Sequence, residues 1–497
     1  MSKRASGEGG AGVELCSSGI PALDSILNGG LVEGRTYLVQ GVAGTGKSLL
    51  GQHILAAGLD AGETVVYIHG EESRADILTN AGQLGVDIAD AEFLDIGPGT
   101  DFFTEDISYD LVEPSAIESE RFTQDIKEVI EAVDPERVLV DPITQLQYVE
   151  RDRYQYRKRF HSLVRFLRDE QVTVITTRTT DPRGTATEAN DDIASLSDGI
   201  INLYLDDSER RIGVPKHRGV GQVDGTHGLE IRDSGIEVYP RSIPDHENRT
   251  FDPTVVSTGD ADLDELLGGG IERGSVTFIS GPTGVGKSTV GAQLLDGVAG
   301  DGETALGYLF EESVAQFTHR AAALGTPIET YREEESVVLA EIEPLVRSAE
   351  EFAQRVIADV ETHDPALVLI DGLSGFKLSV QGDDTRVVRR LHALARILTN
   401  HGVAVVITDE IGQLTGVPKP TSTNTSYIAD NLVVLSYVEL DCGLQRALGV
   451  VKKRVSDFDS RFHRVRIVDG TGLEIAGTFD GVRGVMSGRP TRAGDPE

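Results

Sequence analysis

Two segments of this chain pair a glycine-rich turn with a lysine and a hydroxyl at identical spacing. The first is Gly41-Val42-Ala43-Gly44-Thr45-Gly46-Lys47-Ser48, the second Gly281-Pro282-Thr283-Gly284-Val285-Gly286-Lys287-Ser288. Both fit G-x-x-x-x-G-K-[ST], the pattern of a loop that wraps a polyphosphate. The glycines let successive backbone N–H groups turn inward around a phosphate. Lys47 and Lys287 neutralise its charge, and the Ser48 and Ser288 hydroxyls can ligate Mg²⁺. Each loop follows a strand-like run (Arg35–Gln40, Ser275–Ser280) and precedes a helical pattern, the context this chemistry needs. The expected cofactors are ATP and Mg²⁺.

Such a metal needs a second acidic group. Asp141 and Asp371 each end an apolar run and are the expected metal partners of Ser48 and Ser288. Glu71-Glu72 and Glu311-Glu312 follow another strand-like run, and parallel strands deliver their C-terminal ends to the ligand crevice. These four are therefore the candidate catalytic groups. Neighbours along a strand point to opposite faces, so Glu71 and Glu311 are expected to orient or deprotonate the nucleophile. Late runs carry Lys216-His217-Arg218 and Lys452-Lys453-Arg454, with Ser456 just beyond, and these join the nucleotide-binding candidates. Positions i and i+2 of a strand share a face, so each run presents a lysine beside an arginine. Cations so far in sequence from the loops suit a finger supplied across a subunit boundary to a neighbour's γ-phosphate. His69 has no ligand-spaced partner and is given no role.

The elements that must position these groups occur twice. Sliding the sequence by 240 positions aligns Gly19–Asp24 with Gly259–Asp264, Gly29-Gly30 with Gly269-Gly270, and one phosphate loop with the other. After the glutamate pairs the offset falls to 230, where Val138–Asp141 meets Val368–Asp371. The surplus is expected in the Gly97–Ser115 stretch, read as a surface loop. Short β-branched runs separated by helical patterns, such as Ser162–Arg168 and Arg389–Leu398, indicate βαβ units and a mostly parallel sheet. The expected architecture is α/β, in two tandem domains spanning 12–243 and 250–486. A mobile tail, 487–497, should follow.

Composition narrows the partners. The chain has 497 residues, 81 acidic against 46 basic, and a formal charge of −35. That field repels nucleic acid and anionic membranes, so neither is an expected partner. Arginine outnumbers lysine 36 to 10, and high acid with scarce lysine suggests adaptation to concentrated salt. Two cysteines exclude a disulfide framework, and no apolar run reaches the ~18 residues of a membrane span. A soluble cytoplasmic protein is expected.

Together these residues resemble the KaiC family of clock and clock-related ATPases, over about residues 14–490. The resemblance rests on the repeated G-x-x-x-L-D-x-x-x-x-G-G prelude, the loops, the glutamate pairs and the K-x-R strands. It includes Ser487-Gly488-Arg489-Pro490-Thr491-Arg492, which is similar to the family's S-G-x-P-T-R. It implies tandem RecA-like P-loop domains and a homo-hexameric double ring with ATP between subunits; a regulatory protein at the C-terminal tail is a further expected partner. It further implies slow hydrolysis in the first ring and phosphate transfer to Ser/Thr residues in the second. Ser426, with Thr425 and Thr421, is the expected acceptor. The family's adjacent Ser-Thr pair is here Ser426-Tyr427, a departure that bears on any full clock cycle. Two alternatives are a recombination or helicase motor of the RecA and RadA type and a nucleotide-gated scaffold. Duplication, paired glutamates and the absence of a basic stripe count against the motor.

Overall fold

The apolar runs that precede the phosphate loops are buried along nearly their whole length, so they belong in the middle of a sheet covered on both faces. A computed structural model places them there. It describes residues 13–97, 114–145, 153–180, 193–206, 209–242, 254–343, 348–380, 384–411, 427–440, 443–479, 482–484 and 491–492. The chain divides into two compact units, Met1–Arg241 and Ser242–Glu497.

Unit 1 opens with a two-stranded ribbon, β1 (Leu15–Cys16) with β2 (Leu31–Val32). Then come β3 (Thr36–Gly41), β4 (Val65–His69), β5 (Glu92–Asp95), β6 (Arg137–Asp141), β7 (Thr173–Thr179), β8 (Gly199–Asp206), β9 (Glu209–His217), β10 (Thr226–Arg232) and β11 (Gly235–Tyr239). These nine form one sheet in the order β5-β4-β6-β7-β3-β8-β9-β10-β11. The first six are parallel and the last three turn back antiparallel.

Unit 2 repeats the plan. Its ribbon is β12 (Val255–Val256) with β13 (Ile271–Glu272). Its sheet comprises β14 (Val276–Gly281), β15 (Ala305–Leu309), β16 (Val337–Glu341), β17 (Leu367–Asp371), β18 (Ala404–Glu410), β19 (Asn431–Leu440), β20 (Gly443–Lys452), β21 (His463–Val468) and β22 (Gly472–Thr478). The order β16-β15-β17-β18-β14-β19-β20-β21-β22 matches unit 1 strand for strand.

Strand alternation feeds both faces of each sheet. Tyr37 and Val39 enter one apolar cluster and Leu38 the other, as Ile279 and Phe278 do in unit 2. Helices cover both faces, so each unit is a three-layer α/β sandwich, the expected fold class. None of the described helices is long and apolar enough to cross a membrane.

Two local expectations change. Pro114 and Ser115 open the helix Pro114–Val133 instead of ending a loop, while 98–113 lie outside the described residues. Proline suits that position because the first helical N–H has no partner anyway. In the tail, β24 (Thr491–Arg492) pairs antiparallel with β23 (Val482–Arg483), so this part of 487–497 is anchored by backbone hydrogen bonds.

One buried charge distinguishes unit 1. Arg137 opens β6 only 2% exposed, with its guanidinium on Glu63 and on the carbonyls of Ser17 (2.7 Å) and Ile54 (2.9 Å). Leu367 opens the equivalent strand of unit 2. Removing one partner of a buried pair strands the other, at a cost of about 3–5 kcal/mol. Arg137→Ala should lose that much in the urea unfolding of unit 1. A loss within the range of a surface pair, below about 1 kcal/mol, would contradict this reading.

Candidate functional site

The phosphate loops sit where the central strands β3 and β14 end and the helices Lys47–Asp60 and Lys287–Gly300 begin. Their geometry requires glycine. Gly46 and Gly286 cap the helices at φ +94° and +115°, in the left-handed region. A Cβ on Gly46 would also come within 2.8 Å of Ile231, and one on Gly286 within 2.9 Å of Ile467. Each lysine ammonium donates to a carbonyl of its own loop, Lys47 to Val42 at 2.9 Å and Lys287 to Pro282 at 3.0 Å. Burial lowers the proton affinity of both lysines, and the nearby carboxylates offset that: Asp141 and Glu71 in unit 1, Glu410, Glu311 and Asp371 in unit 2.

Parallel register brings the acids to the same edge. His69 pairs with Asp141 across β4 and β6, and Gly41 pairs with Thr179 across β3 and β7. In unit 1 a cavity of about 310 Å³ is lined by Gly44, Gly46, Lys47, Ser48, Glu71 and Asp141, among others. Asp141 accepts hydrogen bonds from Tyr67 at 2.7 Å and from Thr177. In unit 2 Asp371 accepts from Ser288 at 3.2 Å and from Thr408 at 2.6 Å. A serine hydroxyl converging on a carboxylate is a hard-oxygen set that fits Mg²⁺ held jointly with phosphates. Among the described residues no cluster of three or more acidic, His or Cys side chains could hold a metal alone.

The glutamates of each pair part company, for a reason other than strand alternation. β4 ends at His69 and β15 at Leu309, so both pairs lie beyond the strands. The helix that follows decides instead. Glu72 accepts from Asn80 at 3.3 Å, and Glu312 is bound by Arg320, each partner standing on that helix. Glu71 and Glu72 both line the unit 1 cavity, but it is Glu71 and Glu311 whose charges act on Lys47 and Lys287. Glu311 nestles over Gly372 (φ +107°), where a Cβ would meet its Cγ at 2.9 Å. Burial raises the proton affinity of Glu311, and Asp371 and Glu410 raise it further, while Lys287 opposes them. His69 is buried, with Nδ1 on the Glu72 carbonyl at 3.0 Å, a structural post.

The paired cations stand at the other end of the sheet. Tyr37, near the start of β3, pairs with Gly199, and Gly199 pairs with His217 at the end of β9. Lys216 donates to the carbonyls of Ala194 (3.1 Å) and Ser195 (3.2 Å), and Lys452 to that of Ala429 (2.5 Å). Arg218 lies 3.7 Å from Asp198, and Arg454 bonds Asp430 at 2.9 Å. Burial first, then the neighbouring arginine, lowers the proton affinity of each lysine, consistent with the shared face.

Three candidates in these runs do other work. His217 is buried between Tyr37 Oη (3.1 Å) and the Gly221 carbonyl (2.7 Å), so both ring nitrogens are engaged inside unit 1. The Lys453 ammonium is fully enclosed on Glu272 (3.1 Å) and the Leu267 and Gly270 carbonyls. Ser456 donates to the same Glu272 at 2.8 Å. A middle residue of K-x-R faces away from its flanking cations, and that face is core. Thr421, Thr425 and Ser426 lie outside the described residues.

Some site residues escaped the sequence reading. Arg210 Nε donates to the Gly44 carbonyl of the first loop at 3.3 Å. Arg446, which precedes the run Ala447–Arg454 as Arg210 precedes the matching run Arg211–Arg218, lies over the Tyr437 ring. Asp198, buried, and Asp430, partly exposed, anchor the paired cations and also went unread. Their signal was an acid at the first turn into each repeated strand, Ser197-Asp198 and Ala429-Asp430.

The model of the KaiC ATPase family matches residues 16–243 and again 256–478. Among curated proteins, the circadian clock oscillator protein KaiC of Parathermosynechococcus lividus is 28% identical over 492 residues, covering 97% of this chain and 89% of that protein. Its counterpart from Synechococcus elongatus is 27% identical, covering 95% and 91%. The Picosynechococcus protein is 28% identical, covering 99% and 96%.

Two complete loops, each with its own acid, predict two nucleotides per chain. Lys47→Ala and Lys287→Ala should each remove about half of the ATP retained in equilibrium dialysis, the loss expected when a P-loop ammonium is deleted. Wild-type protein saturating at a single nucleotide would overturn this.

Proposed function

This chain belongs to the KaiC family of ATPases, and from that premise we propose that copies of it form a homo-hexameric ring that hydrolyses Mg-ATP at subunit boundaries. The second unit also passes phosphate to its own hydroxyl-rich segment, and the ring serves signalling or circadian-type regulation. The observation that carries this reading is the separation of charges within each sheet. Five steps of about 3.3 Å separate Thr36 from Gly41, so the loop and the Lys216/Arg218 pair stand roughly 17 Å or more apart. A chain cannot bring both to one triphosphate. Two copies stacked edge to edge can, with the loop of one facing the cations of the next.

In that arrangement the loop N–H groups and Lys47 hold the phosphates. Ser48 and Asp141 would hold Mg²⁺, which supplies charge neutralisation on the phosphates. Glu71 accepts a proton from a water attacking the γ-phosphorus, and the neighbour's Arg218 neutralises charge developing on the transferred group. In unit 2, Lys287, Ser288, Asp371, Glu311 and Arg454 take the matching parts. A serine hydroxyl is a poor nucleophile until a carboxylate takes its proton, and Glu311 is the candidate base for Ser426, Thr425 or Thr421. The phosphate would add about −1.5 to −2 charges to an acidic protein. That favours release of the boundary unless Arg454 pairs with it. The acid excess and scarce lysine suit work in concentrated salt.

A finger in trans contributes on the order of 10³–10⁵ in rate, so complementation tests the boundary. Arg218→Ala and Glu71→Gln chains should each be nearly inert in ATP turnover, and mixing them should restore part of the activity. No recovery, or full activity in a monomer verified by light scattering, would show that the cations act within one chain. Mass spectrometry after incubation with ATP in molar salt should find phosphate on Ser426, lost in Glu311→Gln and kept in Glu71→Gln. An unmodified segment in intact rings would reduce the protein to an ATPase.

A further inference from the structure

The strand beside the phosphate loop carries different side chains in the two units: buried Arg178, bound to Gln40, and Thr179 in unit 1, Asp409 and Glu410 in unit 2. In unit 2, β14 pairs with β18 so that Ser280 faces Asp409 and Gly281 faces Glu410. The same register in unit 1 sets Gln40 against Arg178 and Gly41 against Thr179. The backbone continues identically past both, with Ile411 N–H on the Gly281 carbonyl at 3.1 Å and Thr180 N–H on the Gly41 carbonyl at 3.0 Å. These positions are therefore equivalent in space. Where unit 1 has a guanidinium and a hydroxyl, unit 2 has two carboxylates.

Glu410 reaches the loop itself. Its Oε1 accepts a hydrogen bond from Thr283 Oγ1 at 2.5 Å. It also heads the carboxylates that act on Lys287, before Glu311, Asp371 and Asp409. The loop position matching Thr283 in unit 1 is Ala43, which has no hydroxyl. Both members of the contact are thus present in one unit and missing from the other.

We propose that Glu410 is a nucleotide-discriminating residue of the second unit, clasping Thr283 so that this site accepts metal-bound ATP and resists the metal-free tetra-anion. The inference rests on the reading of unit 2 as an ATP site. Phosphates entering the loop must pass a fixed negative charge and separate Glu410 from Thr283. Mg²⁺ cancels two charges of the nucleotide, so it relieves this repulsion far more at short range than in bulk water. Unit 1 carries no matching carboxylate on β7, and its preference for metal-bound ATP should be correspondingly smaller.

Equilibrium binding of ATP to the full-length chain separates the sites. A Lys47→Ala background reports unit 2, a Lys287→Ala background reports unit 1, and each is measured with MgCl₂ and with EDTA. The affinity ratio between the two conditions should be about tenfold or more larger at unit 2, the effect of one charge contact. Glu410→Gln keeps an acceptor for Thr283 and removes only the charge. It should tighten EDTA binding at unit 2 by about tenfold and change MgCl₂ binding much less. Thr179→Glu should confer part of this metal dependence on unit 1, and Thr179→Glu with Ala43→Thr, which restores the clasp, the rest. The proposal is overturned if Glu410→Gln leaves EDTA binding unchanged, or if it weakens binding equally in both conditions, as a structural role would. A Lys47→Ala chain that binds no ATP even with MgCl₂ would refute the reading of unit 2 as an ATP site. The Thr179→Glu comparison would still decide the charge effect.

Discussion

The parallel register of the central strand governs everything built on each sheet. β3 is hydrogen-bonded on both sides by strands running its own way, so Gly41, Asp141, Thr179 and the turn carrying Glu71 all emerge at one edge. β9 then turns back antiparallel to β8 and delivers Lys216 and Arg218 to the opposite edge. Backbone hydrogen bonds fix both placements before any side chain is considered. The phosphate-binding edge and the cationic edge thus lie at opposite ends of one sheet.

Duplication supplies a comparison within one molecule. The two sheets share strand order and register, yet the side chains around the acid at the strand end differ. A threonine of the neighbouring strand bonds the acid in both units, Thr177 to Asp141 and Thr408 to Asp371, but the second donor is Tyr67 in unit 1 and Ser288 in unit 2. Pro142 follows the first acid and Gly372 the second, and only the glycine lets the glutamate close over it. Arg178 and Thr179 are exchanged for Asp409 and Glu410. Several of these residues, Tyr67, Arg178, Thr408 and Asp409, are buried, so the exchanges are made with the sheet's packing and not outside it.

Each cationic edge is tied to a carboxylate, buried in unit 1 and partly exposed in unit 2. Asp198 is 2% exposed and accepts from the Thr36 N–H at 3.3 Å, with Arg168, Arg35 and Arg218 around it. Asp430 accepts from the Val276 N–H at 3.1 Å and from Arg454. Both carboxylates are pinned by the first residues of the central strand, so the cations they gather are indexed to the sheet. In a chain of charge −35, concentrating arginine and lysine here creates a local field opposite to that of the whole.

Much of the site was legible in the sequence, and the reason is local. A phosphate loop needs glycine at positive φ, a lysine and a hydroxyl at fixed spacing, and no distant residue can substitute for that. Continuous apolar runs ending in Asp141 and Asp371 announced buried parallel strands, and the repeat marked out the two units. Alternation also told which of Lys216, His217 and Arg218 share a face, though not what that face meets. That His217 would be held between Tyr37 and Gly221, and Lys453 walled in by Glu272, depended on chain segments far away in sequence. The glutamate pairs sorted themselves through Asn80 and Arg320 on the following helices, since the strands had already ended. The sequence by itself determined the chemistry that local backbone geometry demands, namely the loops, the acids and the doubled sheet. Tertiary structure alone decided which charges face one another, because that follows from register between strands distant along the chain.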